Sequence, residues 1–218
     1  MHIAQLTKRC KMIKKLELNN CRLITSEVLE SLSEIEGLEI LKLEGVKPWV
    51  KDTGCYLMNL TSLKVIKIDG SPIPDSEFVY FKYLTNLHSL SIDNCKQVST
   101  SVGEVIENMS KLRKLNISNA YRDTNQIFNT ILSKKLKITK LKVAHCPKLT
   151  DHGIPQLIKL FQTSNQLLES QNESGDPVPG IFFFYFYFYF YFYFYFYFYF
   201  YFYFYFYFCL KFLFFLVF

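Results

Sequence analysis

The sequence predicts an α/β solenoid of about six strand-turn-helix repeats, followed by a low-complexity aromatic tail. Three observations predict this fold class. An apolar pattern of the form LxxLxL recurs with a nearly constant period, and the residues after each copy change to helical spacing. From residue 181 onward, by contrast, the chain is mostly Phe and Tyr, and its one charged residue there is Lys211. The two parts therefore have to be interpreted separately.

Each LxxLxL copy predicts a short strand. The copies begin 25, 25, 24, 25 and 26 residues apart, at Ile13, Leu38, Leu63, Leu87, Leu112 and Ile138. A single repeat cannot cover its own apolar side, so the repeats must stack on one another. We predict that the ladder positions, with cysteines three residues after three of the copies, form the structural core: Leu16, Leu18, Cys21, Leu41, Leu43, Ile66, Ile68, Leu90, Ile92, Cys95, Leu115, Ile117, Leu141, Val143 and Cys146.

A helix is predicted after each strand, because the apolar spacing changes there to i, i+3, i+4. Clear cases are Val28, Leu29 and Leu32, and also Ile154, Leu157 and Ile158. The second repeat is the least regular, since Pro48, Trp49 and Gly54 replace a clean helix start. We expect its helix to be short and to begin near Asp52.

Polar residues stand where several helices should begin. Ser101 with Glu104 fits a capping box, and Asp123 with Gln126 is a similar pair. Asp75 and Asp151 are in position to cap in the same way.

The repeats predict a first domain over residues 1–161, and the Ser-, Asn-, Gln-, Glu- and Pro-rich stretch 162–180 is interpreted as a linker. The tail 181–218 contains 28 uncharged residues from Ile181 to Phe208. Three interpretations stay open: a low-complexity product of repetitive coding DNA, a membrane helix with hydroxyls on all sides, and a strand prone to cross-β association. We predict that the tail is not part of the fold.

Charge and cysteine usage exclude several classes of protein. The 25 Lys and Arg and 19 Asp and Glu are interspersed, which favours a soluble body over a nucleic-acid stripe. The first residues lack the apolar run of a secretory signal, so we expect a cytoplasmic or nuclear protein, with a membrane location only if the tail inserts. The 6 cysteines are scattered singly without a CxxC pair, which excludes zinc-finger spacing.

The first repeat reads Cys10-x-x-Ile13-x-x-Leu16-x-Leu18-x-x-Cys21, and the last contains C-x-x-L-T-D-x-G-I from Cys146. Over residues 10–161 these motifs resemble the cysteine-containing class of leucine-rich repeats. That class looks most like the repeat domains of F-box proteins, the substrate receptors of cullin-based ubiquitin ligases, and like antagonist-of-mitotic-exit proteins. The resemblance implies a leucine-rich-repeat solenoid, a horseshoe segment that binds an intracellular partner without catalysis.

An F-box precedes the repeats in such receptors, and only nine residues precede Cys10 here. A fragment of a longer product, a repeat-only adaptor and a chain unrelated to the ligase all remain open.

The residues between and just after the ladder positions should line the concave face of the sheet. The acidic residues of repeats two to four form a strip beside two lysines, with an apolar edge, and the alternative is that the charges only keep the face soluble. Trp49 is interpreted either as a binding anchor or as a loop packing residue. The candidate partner-binding residues are Lys15, Glu17, Ile40, Lys42, Glu44, Val65, Lys67, Asp69, Ser91, Asp93, Asn116 and Lys142.

No motif for catalysis, a cofactor or a metal is present in the sequence. His145 and Cys146 are adjacent, but strand register points His145 toward the rim and Cys146 inward. The 8 glycines are dispersed singly, so no phosphate-binding loop is formed. We predict that the protein is not an enzyme and that Cys21, Cys95 and Cys146 are inert core residues.

Three function hypotheses follow. The first is a protein-protein interaction module, specifically the substrate-recognition part of an F-box-type ubiquitin ligase receptor, which would also bind a cullin-ligase adaptor if an F-box is fused to it. The second is a repeat-only intracellular scaffold or regulator. The third is an interaction protein anchored to a membrane by the aromatic tail.

Overall fold

The computed structural model describes residues 10, 12–21, 24–47, 49, 53–99, 101–120, 125–149, 153, 155, 156 and 159. All of them belong to one compact unit, Met1–Tyr185. The predicted linker 162–180 and tail 181–218 lie outside the described residues, so the predicted boundaries remain predictions.

Strands and helices alternate along the whole described part of the chain. The strands are β1 Lys15–Glu17, β2 Ile40–Lys42, β3 Val65–Lys67, β4 Ser89–Ser91, β5 Lys114–Asn116 and β6 Lys140–Lys142. The helices are α1 Ser26–Leu32, α2 Thr53–Leu57, α3 Asp75–Phe78, α4 Ser101–Ile106 and α5 Asn125–Ser133, and a 3₁₀ helix, Val79–Tyr83, continues α3. Each LxxLxL copy therefore contains one strand at its centre, as predicted.

The six strands form one parallel sheet in sequence order, β1-β2-β3-β4-β5-β6. Parallel pairing follows from the repeat, because each strand is reached from the one before it through a similar crossover. The first residues of the strands are in register, and so are the last residues. These two columns are Lys15, Ile40, Val65, Ser89, Lys114, Lys140, and Glu17, Lys42, Lys67, Ser91, Asn116, Lys142. Equivalent residues of successive repeats therefore stand side by side, as the nearly constant period of the sequence requires.

A left-handed residue follows every strand. It occupies the same place in all six repeats, where φ lies between 53° and 68°, and the residues are Asn20, Gly45, Gly70, Asn94, Asn119 and His145. Gly and Asn adopt this conformation at lower cost than other residues, which explains their use at five of the six places. The residue turns the chain from the sheet toward the helical side.

The core lies between the sheet and the helices. The middle strand residue Leu41 is fully buried, as are Leu29 and Leu32 on α1, and all belong to one apolar cluster. Of the predicted core residues, four are only half-buried at the margin of that cluster: Leu16, Leu18, Cys21 and Cys146. The first three belong to the repeat of β1, which has a strand neighbour on one side within the described sheet.

The helix starts differ from the predicted capping pattern. Ser101 is the first residue of α4, and its hydroxyl donates to Asp75 Oδ1 at 2.5 Å rather than capping its own helix. Asp75 also begins its helix, α3, where Pro74 holds the cap position without a side-chain hydrogen bond. Residues 123 and 151 lie outside the described residues. The second helix begins at Thr53 and is 5 residues long, so the prediction of a short helix is confirmed.

Candidate functional site

The predicted binding residues lie on one face of the sheet, the face opposite the helices, which we call the open face. In β2 and β3 the middle residue is buried while the outer two are half-buried, as strand alternation requires. The outer residues of all six strands thus form two columns across this face. Ile40 and Val65 stand side by side in one of them and supply apolar area.

Charged residues of the first three strands pair with one another on the open face. Lys42 Nζ lies 2.7 Å from Glu17 Oε1, and Lys15 Nζ lies 2.9 Å from the same oxygen. The hydrogen bond from Lys42, with a second from Lys15, lowers the pKa of the Glu17 carboxyl, and the same Glu17 bond raises the pKa of Lys42. Lys67 Nζ lies 3.9 Å from Glu44 Oε1. This part of the face is close to neutral.

The predicted acidic strip contains Glu44, Asp69 and Asp93, which occupy equivalent positions two residues after their strands. Asp69 Oδ1 accepts a hydrogen bond from the backbone N–H of Asp93 at 2.9 Å. Asp93 Oδ1 accepts one from Asn119 Nδ2 at 2.7 Å. At the same repeat position, Asn19 and Ser118 accept from the backbone N–H of the next repeat. Both aspartates therefore join neighbouring repeats.

Ser91 is poorly placed for the binding role predicted for it. Its side chain is 5 % exposed, and its hydroxyl accepts a hydrogen bond from Asn116 Nδ2 at 3.0 Å. The carbonyl oxygen of the Asn116 side chain accepts from the backbone of Ser118 at 3.2 Å. Ser91 is covered because the longer Asn116 side chain of the next strand lies over it. The available face at β4 and β5 is therefore smaller than the sequence predicts.

The thiols follow the predicted inward register. Cys95 Sγ donates to the carbonyl of Ile68 at 3.2 Å, and Cys146 Sγ donates to that of Ile117 at 3.4 Å. Burial raises the pKa of the Cys95 thiol to about 12 and also raises the pKa of Cys146. Ser71 occupies the equivalent position of its repeat, and its hydroxyl donates a hydrogen bond to the carbonyl of Leu43. Each of these three groups ties its repeat to the preceding one. Both thiols are protonated at neutral pH because burial raises their pKa, which makes them poor nucleophiles.

Trp49 packs in the core. Its side chain is 8 % exposed, and Nε1 donates to the carbonyl of Val46 at 3.2 Å. The interpretation as a loop packing residue is confirmed, and the interpretation as an exposed binding anchor is wrong. His145 is exposed at the left-handed turn, whereas Cys146 is directed inward.

Two carboxylates of α3 contact the repeats on either side, which the sequence did not predict, since it placed Asp75 only as a cap of its own helix. Asp75 accepts from the backbone N–H of Ser99 at 2.7 Å and from the hydroxyls of Ser99 and Ser101. Glu77, 4 % exposed, accepts from the N–H of Gly54 at the start of α2 at 2.7 Å. Both partners are more than twenty residues away, so no local pattern signals them.

The helical side of the repeats presents an open groove rather than aligned columns of side chains. An open groove there is lined by residues of α3, α4 and α5, including Asp75, Glu104 and Gln126. Within the described residues, no group of three or more His, Cys, Asp or Glu could hold a metal ion. No described helix has the length and apolar character needed to cross a membrane.

No protein-family model matches this sequence. Among solved structures, an internalin (InlF) of Listeria monocytogenes str. 4b F2365 is similar at a TM-score of 0.50 and 25% identity, over 72% of this chain and 41% of that one. The tropomodulin C-terminal domain of Caenorhabditis elegans gives a TM-score of 0.46 at 12% identity, over 79% of this chain and 96% of the domain. The plant peptide hormone receptor RGFR1, solved in complex with RGF2, gives 0.42 at 16% identity, over 67% and 29%.

This chain thus spans 41% of the length of the internalin that it resembles. The likeness to that leucine-rich-repeat protein agrees with the parallel six-stranded sheet and its alternating helices. The described part of the chain has the α/β leucine-rich-repeat solenoid fold.

Proposed function

We propose that this leucine-rich-repeat chain is a protein-protein interaction module that binds its partner on the open face of the sheet. The observation that supports the proposal is the alignment of the strands. The first and last residues of the strands are in register on the same face over all six repeats, and all of them except Ser91 are half-buried or exposed. Such a face presents a large, rigid set of side chains at little conformational cost to the backbone.

The chemistry of the open face suits a protein partner. Ile40 and Val65 provide a half-buried apolar centre. The ion pairs of Lys42 with Glu17 and of Lys67 with Glu44 surround that centre with charges of both signs. An apolar centre with a charged rim is typical of protein interfaces, where the charges set orientation and association rate more than affinity.

The test is a change at the centre of the face. Val65→Arg in the full chain places a charge and extra volume among Ile40, Lys42 and Lys67, while Glu36→Arg adds a charge at an exposed turn outside the sheet. Proteins captured by each variant and by the wild type are identified by quantitative mass spectrometry, with circular dichroism as a check on folding. We expect at least one partner that the wild type and Glu36→Arg retain and that Val65→Arg loses. Identical sets from all three chains would contradict the proposal.

The finer proposal is that the module is the substrate-recognition part of an F-box-type ubiquitin ligase receptor. The resemblance of the repeats around Cys21 and Cys146 to that class supports it, and the inter-repeat bond of Cys146 is consistent with it. Immunoprecipitation of the native protein should recover a cullin-ligase adaptor together with the captured partner. Recovery of the partner without any adaptor would favour the repeat-only scaffold.

A cytoplasmic or nuclear location is proposed for either role. The 28 uncharged residues from Ile181 to Phe208 support the alternative, a membrane-anchored interaction protein. Cell fractionation separates the two. If the full chain stays with membranes after alkaline extraction, the anchored form is correct.

A further inference from the structure

Three lysines stand together at the end of the open face formed by β5 and β6. Lys114 begins β5 and is directly opposite Lys140, the first residue of β6. Lys142 is two residues beyond Lys140 and so projects from the same face of the sheet. Lys114 is exposed, and the other two are half-buried. We call these three residues the lysine patch.

The lysine patch differs from the rest of the open face in its charge balance. On β1, β2 and β3, Lys15 and Lys42 pair with Glu17, and Lys67 pairs with Glu44. Among the residues that the structure describes, no carboxylate lies within 4 Å of a patch lysine. Within the described part of the chain, the charged strand residues are therefore neutralised at one end of the sheet and carry unpaired positive charge at the other.

This arrangement is unfavourable for the isolated fold. Strand neighbours in a sheet are about 4.8 Å apart, so Lys114 and Lys140 bring like charges together without a carboxylate between them. Like charges directly opposite each other destabilise a sheet. Elsewhere on the open face a lysine has an opposite charge beside it, since Lys42 stands opposite Glu17 and forms an ion pair with it. Binding to a negatively charged partner would offset this repulsion, which is a reason for the three lysines to stand together.

We propose that the lysine patch binds an extended, Asp- or Glu-rich segment of a protein partner. This inference rests on the proposed function of the open face. An extended peptide presents alternate side chains on one side at a spacing of about 7 Å, which equals the spacing of Lys140 and Lys142 along β6. A lysine head group is a flexible point charge well suited to single carboxylates. The described strand residues of β5 and β6 include no aromatic side chain, which a stacking site for nucleotide bases would need.

The experiment compares two double variants of the full chain with equal changes in net charge. Lys140→Gln with Lys142→Gln removes two patch lysines, and Lys82→Gln with Lys134→Gln removes two paired lysines from the helical side, away from the open face. The probe is a fluorescent peptide of alternating Glu and Ser, with an alternating Gln and Ser peptide as the neutral control. Fluorescence anisotropy is recorded at about 0.05 M salt and again at about 0.5 M, where charge interactions are strongly screened.

We expect the wild type and the Lys82/Lys134 variant to bind the acidic probe with similar affinity, and the Lys140/Lys142 variant to bind about tenfold more weakly. High salt should remove the difference, and the neutral peptide should bind none of the three chains. Equal weakening in both variants would show that net charge alone attracts the probe, and this overturns the proposal. Absence of wild-type binding to the acidic probe overturns it too.

A single-stranded oligonucleotide serves as a further arm. If it binds through Lys140 and Lys142 while the acidic peptide does not, the patch serves a nucleic acid and the proposal is wrong. The partner-capture experiment with Val65→Arg does not depend on these peptide and oligonucleotide probes. Loss of a partner in Val65→Arg together with failure of the acidic probe would uphold the open face as a binding site and reject only the acidic segment.

Discussion

Cys95 lies between two repeats, with its side chain 3% exposed and its thiol bonded to the carbonyl of Ile68. Burial raises its pKa from the ordinary value of 9.0 to about 12. Because the folded pKa is the higher one, the buried neutral thiol stabilises the fold fully below about pH 9. That contribution is lost as the pH rises from about 9 to about 12.

Native Cys95 should therefore resist alkylation. At about pH 8 iodoacetamide reacts with the thiolate, and we expect exposed Cys10 to be labelled ~100-fold faster than Cys95, which reacts only when the core opens. Peptide mass spectrometry at several reaction times measures both rates. In concentrated urea the two cysteines should react at similar rates, and similar rates without urea would show that Cys95 is not enclosed.

Two glycines with positive φ differ in their surroundings. Gly45, with φ of 68°, follows β2, and an added Cβ would lie 2.8 Å from Asn20 Oδ1. Gly37, with φ of 82°, has no atom within 4 Å of that place. Each Ala substitution should cost about 1–2 kcal/mol in backbone strain, and Gly45→Ala should cost more than Gly37→Ala because of the additional contact. Urea unfolding of both variants measures the costs, and an equal loss would mean that the Asn20 side chain moves away freely.

At the scale of single elements, the strands were predictable, whereas the contacts that hold the start of α4 were not. The position of β4 follows from Leu87, Leu90 and Ile92, because strand register depends on an apolar pattern that lies within a few residues. The start of α4 depends on Asp75, which is 24 residues before Ser99 in the chain. A capping box assumes that the cap and the helix are neighbours in sequence. Stacked repeats remove that restriction, since an equivalent residue of the next repeat is equally close.

Asp75 provides the test of this inter-repeat contact. Asp75→Ala removes the acceptor of three hydrogen bonds and leaves the Ser99 N–H unsatisfied, so we expect a loss of about 1–3 kcal/mol in the free energy of unfolding. Ser101→Ala removes one donor and should cost about 1 kcal/mol. The double variant should lose less free energy of unfolding than the sum of the two single losses, because Asp75 and Ser101 share one hydrogen bond. Strict additivity in urea unfolding would argue against the contact.

Across the whole molecule, the parallel sheet places the predicted candidate residues of all six strands on one face. Their order was predictable because a constant period places equivalent residues in columns. Their accessibility was not, since it depends on the neighbour in the next repeat: Asn116 covers Ser91, whereas Glu17 neutralises Lys42. Trp49 was ambiguous because the sequence pattern of a loop does not show whether its side chain reaches the core. Aligned repeat positions in the sequence therefore predict which residues share a face of the sheet. They do not predict which of the charged side chains on that face lack an ion-pair partner.

The aromatic tail is the last test at this scale. The described strands and helices all end before residue 160, and we expect a chain ending at Gly180 to keep the far-UV circular dichroism and the urea midpoint of the repeats. After prolonged incubation at high protein concentration the full chain should pellet on high-speed centrifugation while the shortened chain stays in solution, because alternating Phe and Tyr without charge favours cross-β association. A control chain with Lys at every fourth tail position should also stay in solution. If the shortened chain loses its cooperative unfolding transition, the tail belongs to the fold after all.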